Sequence, residues 1–305
     1  MPVDLDSRLD LLRRYDQPDL GDEPTWPVQV SDPLRSVLAE RERVQELKDA
    51  GLSPTRSLLF VGPPGVGKTL AAKWLARSLS VPLLVLDLSA VMSSFLGRTG
   101  GNIRAVLDYA QSFPSVLLLD EFDAIAKRRD DSTEIGELKR LVTVLLQSVD
   151  EWPSHSVLIA ATNHPELLDP AVWRRFERVV EFPLPSQDEL RAVIVRAMGE
   201  ELQGIDANVF AAVLHGRSFA DVTRLLNTAK REAIVMRRSS IEALMDAVRG
   251  LVDQASKREK LRVAAELTRS RMSQRDISAF TGLSRDTLRK HLGGPSSEKR
   301  SPTNQ

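Results

Sequence analysis

The octapeptide Gly62-Pro63-Pro64-Gly65-Val66-Gly67-Lys68-Thr69 constrains this chain more than any other feature, because it fills every position of the pattern G-x-x-x-x-G-K-[ST]. It follows the apolar run Leu58-Leu59-Phe60-Val61 and precedes an alanine-rich helical pattern that begins at Leu70. Strand, glycine loop and helix in that order build a cradle for nucleotide phosphates. The glycines let successive backbone N–H groups turn inward with no Cβ in the way, and the helix starting near Lys68 aims its positive dipole end at the same point. Gly62, Pro63, Pro64, Gly65, Val66, Gly67, Lys68, Thr69 and Leu70 are the expected binding set. Lys68 reaches the β- and γ-phosphates, and the Thr69 hydroxyl ligates Mg²⁺.

Five β-type runs, at 58–61, 83–86, 116–119, 157–160 and 179–182, are mostly separated by helical stretches, which predicts an α/β fold with a parallel sheet covered on both faces. The continuous apolar run Val116-Leu117-Leu118-Leu119 suits a central strand. Residues 34–50 carry apolar positions at helical spacing and end at Gly51. From Ser186 the strands stop and helical patterns continue to about 292. The expected organisation is an acidic arm over 1–30 docking through Trp26, a large α/β domain over 31–185, a helical unit over 186–255, a small helical domain over 256–293 and a disordered tail over 294–305.

Charge is balanced, 42 basic against 42 acidic residues, yet the segment from Ser256 holds twelve Lys/Arg and five Asp/Glu, a local excess of 12 − 5 = +7. That asymmetry points to an anionic partner for this segment or to a solvated tail. The chain has no cysteine, so disulfides and thiolate metal sites are excluded. No apolar run is long enough to span a membrane and the acidic start is unlike a signal peptide, so a cytoplasmic location is expected.

Asp120-Glu121 closes the run 116–119, the Walker B arrangement, and places two carboxylates where open α/β sheets bind ligands. Asp120 joins Thr69 in holding Mg²⁺, and Glu121 polarises an attacking water. With these motifs in this order over residues 34–238, the chain resembles the AAA ATPases of the AAA+ superfamily. The resemblance implies a P-loop NTPase sandwich with a five-stranded parallel sheet, a helical lid, ATP and Mg²⁺ as ligands, and ATP hydrolysis. It assigns Asn163, in Ala161-Thr162-Asn163, to sense the γ-phosphate or the water. It assigns arginine fingers to Arg175 and Arg178, which flank Phe176-Glu177 where the family's usual Pro-Gly is missing. Fingers supplied in trans imply a homo-oligomeric ring, expected to be a hexamer. Phe95-Leu96-Gly97 resembles the pore loop that grips extended polypeptide, and Lys127-Arg128-Arg129-Asp130-Asp131 is either a second pore loop or a solvated loop. In the lid, Ser218-Phe219-Ala220-Asp221 lacks the sensor-2 arginine, with Arg224 one turn later.

Residues 272–292 resemble a helix-turn-helix, with Ser273 and Ser284 as caps, Gly282 in the turn, and Ile277, Phe280, Leu283, Leu288 and Leu292 facing inward. Arg285, Thr287, Arg289 and Lys290 are then the DNA-contacting set. A docking module or a capping element is the alternative. The combined expectation is an ATP-hydrolysing ring that remodels or threads protein substrates. Its helix-turn-helix tethers it to DNA or a partner, and it works beside a separate protease in plasmid maintenance or phage defence. The alternative is a DNA-directed ATPase regulator, of transposition- or initiator-helper type, in which ATP controls oligomeric state.

Overall fold

The computed structural model describes residues 2, 11–21, 24, 26–88, 99–124, 135–202, 207–269 and 272–292. It divides into two compact units, Met1–Leu184 and Pro185–Gln305. Among the described residues no helix is long and apolar enough to cross a membrane.

The first unit is built on strands β1 (Arg13–Tyr15), β2 (Ser57–Val61), β3 (Leu83–Asp87), β4 (Val116–Asp120), β5 (Val157–Thr162) and β6 (Arg178–Glu181), in the order β1-β3-β4-β5-β2-β6. The five strands β2 to β6 run parallel. Every residue of β2 and β5 is buried, which explains why these strands read as unbroken apolar runs. Alternate side chains feed two cores. Leu59, Leu84, Leu117 and Leu158 join a cluster with α4 (Thr99–Gln111) and α5 (Ile135–Asp150). Leu58, Phe60, Leu118 and Ile159 join another with α1 (Val28–Glu42) and α3 (Lys68–Ser78).

The expectation of five strands needs correction, because among the described residues the sheet has six and is mixed. β1 pairs antiparallel with β3, Arg13 opposite Val85 and Tyr15 opposite Leu83. It covers what would otherwise be an open sheet edge with unpaired N–H and C=O groups. Leu12, buried in the core, anchors it, while Arg14 Nη1 donates to Tyr109 Oη at 2.8 Å and the guanidinium lies over Phe113. The helix expected over 34–50 is also two helices. α1 starts earlier and α2 (Val44–Asp49) follows after a break at Arg43, whose φ of −112° and ψ of 31° leave the helical region. Gly51 does close it, at φ +74°.

The second unit is helical: α7 (Gln187–Met198), α8 (Ala207–Leu214), α9 (Phe219–Met236), α10 (Ser240–Gln254), α11 (Lys257–Arg269), α12 (Gln274–Thr281) and α13 (Arg285–Leu292), with the short α6 (Pro170–Trp173) belonging to the first unit. Serine caps set several starts, since Ser186, Ser218, Ser239 and Ser273 each accept a backbone N–H of the first turn. One apolar cluster runs from Leu190 in α7 to Leu288 in α13, so α7 to α10 and the terminal helices share a core.

Candidate nucleotide site

Gly62 leaves β2 at φ +147°, and a Cβ there would lie 2.2 Å from the carbonyl oxygen of Phe182, whose own N–H bonds Val61 O at 2.8 Å. Only glycine fits under that crossing segment. Gly67, at φ +103°, is the residue preceding α3, and no side chain among the described residues caps this helix. The first N–H groups of α3 therefore stay free for an anion. Trp26, through which the arm was expected to dock, contacts α3. Its ring packs edge-on against Trp74 of α3 at 5.6 Å, and its Nε1 would meet a Cβ on Gly67 at 3.3 Å.

Lys68 is buried, and its Nζ donates to Gly62 O at 2.6 Å, Pro63 O at 3.0 Å and Asn163 Oδ1 at 2.7 Å. Burial pulls its ammonium down from 10.5 to about 8, against the opposing pull of Asp120 and Asp123. The Asp120 carboxyl is raised by burial, partly offset by hydrogen bonds from the Glu121 N–H and the Thr69 hydroxyl. Thr69 Oγ1 donates to Asp120 Oδ2 at 3.3 Å. A hydroxyl and a carboxylate in contact at the helix start form a hard-oxygen donor set that fits Mg²⁺ retaining several waters.

Glu121 has a left-handed backbone, φ +54°, unusual for a residue with a Cβ. That turn is held by Glu121 N to Asp120 Oδ1 at 3.0 Å, Phe122 N to Ala161 O at 2.9 Å and Ala124 N to Glu121 O at 2.8 Å. It presents the Glu121 carboxylate to solvent beside the cradle's Asp120. Lys68 and Thr69 thus come from the start of α3, Asp120 and Glu121 from the end of β4, and Asn163 from the end of β5.

The two arginines expected to act as fingers do not share a location. Arg175, exposed, pairs with Asp150 at the end of α5. Arg178 instead donates from Nη2 to Glu40 Oε1 at 2.6 Å and from Nε to Thr55 Oγ1 at 3.3 Å, while Glu177 pairs with Arg56 at 3.0 Å. Phe95, Leu96, Gly97 and the stretch Lys127-Arg128-Arg129-Asp130-Asp131 lie outside the described residues. In the second unit Arg285, Arg289 and Lys290 are exposed on α13. Thr287 is half-buried, and its hydroxyl meets Ser284 Oγ at 2.9 Å, so it serves the start of α13. Arg224 is exposed and pairs with Asp221 at 3.5 Å.

Sequence reasoning passed over Asp123 and Thr162. Both are buried, and Thr162 Oγ1 donates to Asp123 Oδ1 at 3.1 Å. The available signal was a second acid two residues beyond Glu121 and a threonine directly before Asn163.

Residues 58–184 match the family described as "ATPase family associated with various cellular activities (AAA)". The "Uncharacterized AAA family ATPase y4kL" of Sinorhizobium fredii is 38% identical over 225 residues, 74% of this chain and 68% of the relative. A proteasome-activating nucleotidase of Methanothermobacter thermautotrophicus is 32% identical over 231 residues, 72% of this chain and 56% of the relative. An ATP-dependent zinc metalloprotease FtsH of Lancefieldella parvula is 31% identical over 243 residues, 76% of this chain and 38% of the relative. The chain therefore spans two thirds of the first relative's length and smaller shares of the other two.

Proposed function

The chain belongs to the AAA ATPase family and hydrolyses ATP, and from that premise we propose that it works as a homo-oligomeric ring, six subunits around, that remodels or threads protein substrates. The observation that carries the site reading is the convergence of Lys68, Thr69, Asp120, Glu121 and Asn163 on one end of the sheet. The backbone from Gly62 to Leu70 wraps the phosphates, and the Lys68 ammonium neutralises the β- and γ-oxygens. Thr69 and Asp120 hold Mg²⁺, which when bound offsets charge on the transferred phosphoryl. Glu121 takes up a proton from the attacking water, and Asn163 orients that water or the γ-phosphate. Arg175 serves the neighbouring subunit as the finger. Arg178, bonded to Glu40 and Thr55 of its own chain, braces β6 instead.

Similarity to a proteasome-activating nucleotidase and to an ATP-dependent zinc metalloprotease FtsH supports action on proteins, and a separate protease as partner is the further part of this proposal. Phe95, Leu96 and Gly97 supply the apolar grip, because sequence-tolerant hold on a peptide needs no cations. The exposed Arg285, Arg289 and Lys290 on α13 support a DNA tether at the terminal helices, in a cytoplasmic protein. They equally favour the second reading, a DNA-directed regulator whose oligomeric state follows ATP.

Steady-state ATP hydrolysis separates the two, measured with unfolded polypeptide and with duplex DNA, in wild type and Phe95→Ala. Stimulation by polypeptide that Phe95→Ala abolishes is the expected result. Stimulation by DNA alone, indifferent to Phe95, establishes the regulator in its place.

A further inference from the structure

We infer that Asp123 and Thr162 are positioning residues that lock the Glu121 turn and the Asn163 side chain into one unit, an inference resting on the roles given to those two residues above. Glu121 and Asn163 come from different strands, and the pairing of β4 with β5 runs only from Val116 opposite Val157 to Leu119 opposite Ala160. Beyond it the sheet exerts no control over their relative position. Two links take over there. Phe122 N donates to Ala161 O at 2.9 Å, and Thr162 Oγ1 donates to Asp123 Oδ1 at 3.1 Å.

The Thr162 hydroxyl also accepts the His164 N–H at 3.0 Å, so its donor and an acceptor position are both used. Thr162 and His164 bracket Asn163, and Asp123 lies two residues beyond Glu121. Each candidate catalytic side chain is thus tied within two residues to the same buried pair. Thr162 is fully buried and Asp123 is 4% exposed, where a hydrogen bond is strong and its direction is not averaged by water. An apolar pair of equal volume would fill the space without fixing direction. Asp123 adds an electrostatic role, since its charge favours the ammonium of Lys68, which itself donates to Asn163. Desolvating a carboxylate is costly, and the hydroxyl and the nearby cation offset that cost here.

Displacement of reacting groups by even 1 Å lowers rate far more than it lowers affinity for a substrate held mainly by its phosphates. Thr162→Val keeps the shape and removes the hydroxyl. It should lower kcat about tenfold while the Kd for ATP stays within about twofold. Thr162→Ser, which restores the hydroxyl without the methyl, should recover most of the rate. Asp123→Asn, still an acceptor at Oδ1, should be milder than Asp123→Ala. Wild-type kcat in Thr162→Val overturns the inference, as does equal impairment of the serine and valine variants, which would mark a packing role. Glu121→Gln in the same assay separates the layers. If it is inactive while Thr162→Val is normal, only the coupling fails; if it turns over normally, the Glu121 assignment falls and the coupling with it.

Discussion

The two compact units place their polar side chains in opposite ways. In Met1–Leu184 the candidate catalytic groups sit at the ends of buried strands and the start of α3, where Lys68 donates to Asn163 and Thr69 to Asp120. In Pro185–Gln305 the groups of interest on α13, Arg285, Arg289 and Lys290, are exposed and make no side-chain hydrogen bond or ion pair among the described residues. The first arrangement is preorganised: donors and acceptors are aimed before a ligand arrives, so each side chain carries a large share of the chemistry. The second is a solvated charge display, which attracts an anionic surface through many small, salt-screened contributions. Loss of one side chain should therefore be severe in the first unit and graded in the second.

The sharpest test lies within the first unit, where two neighbouring arginines differ in partner. Arg175→Ala should reduce kcat on the order of 10³-fold, and mixing it with Glu121→Gln should restore part of the activity through hybrid interfaces. Arg178→Ala should leave kcat within about threefold and lower Tm by a few degrees, because a half-exposed pair such as Arg178 with Glu40 contributes little more than about 1 kcal/mol. Equal loss of turnover in both variants would reinstate Arg178 as a finger.

In the second unit, Arg285→Ala combined with Arg289→Ala should weaken duplex binding about tenfold and reduce the slope of log K against log salt by roughly two. Binding titrations at several salt concentrations read both quantities. An unchanged slope would make α13 a protein-docking element.

The smallest effect is a pH signature of Lys68, whose folded value, about 8, lies below the ordinary 10.5. Between those values the unfolded chain holds more protons than the folded one, so the stability contribution of this group rises with pH from about 8 to 10.5. ATP affinity should move the other way, falling several-fold per pH unit above 8 as the ammonium that meets the phosphates is lost. Calorimetric titration across pH 7 to 9.5 should also show proton uptake on ATP binding near pH 8. No uptake there would place the Lys68 ammonium well above 8 in the folded protein.

The phosphate cradle and the parallel strands were legible because each is written in contiguous residues. Gly62 and Gly67 stand where the backbone takes positive φ, the apolar runs at β2, β4 and β5 announce burial on both faces, and Asp120-Glu121 closes such a run. The intrachain partners of Arg175 and Arg178 and the edge of the sheet were not legible in the same way. Arg178 finds Glu40 138 positions away, and β1 is a three-residue segment that forms by pairing with the edge of β3. The caps of α12 and α13 were also local, and Ser273 and Ser284 could be assigned from a few residues. That Thr287 turns its hydroxyl to Ser284 while Arg285 and Arg289 stay in solvent depended on how α13 seats Leu288 in the core.

The sequence by itself determined the nucleotide chemistry and the alternation of strands and helices, since φ preferences, glycine clearance and apolar periodicity act within a few residues. Only the tertiary structure decided which charges are engaged and which are free, the sixth strand, and the buried bond between Thr162 and Asp123. Each of those depends on segments brought together by packing, and a partner tens of residues or more away leaves no mark on the local pattern.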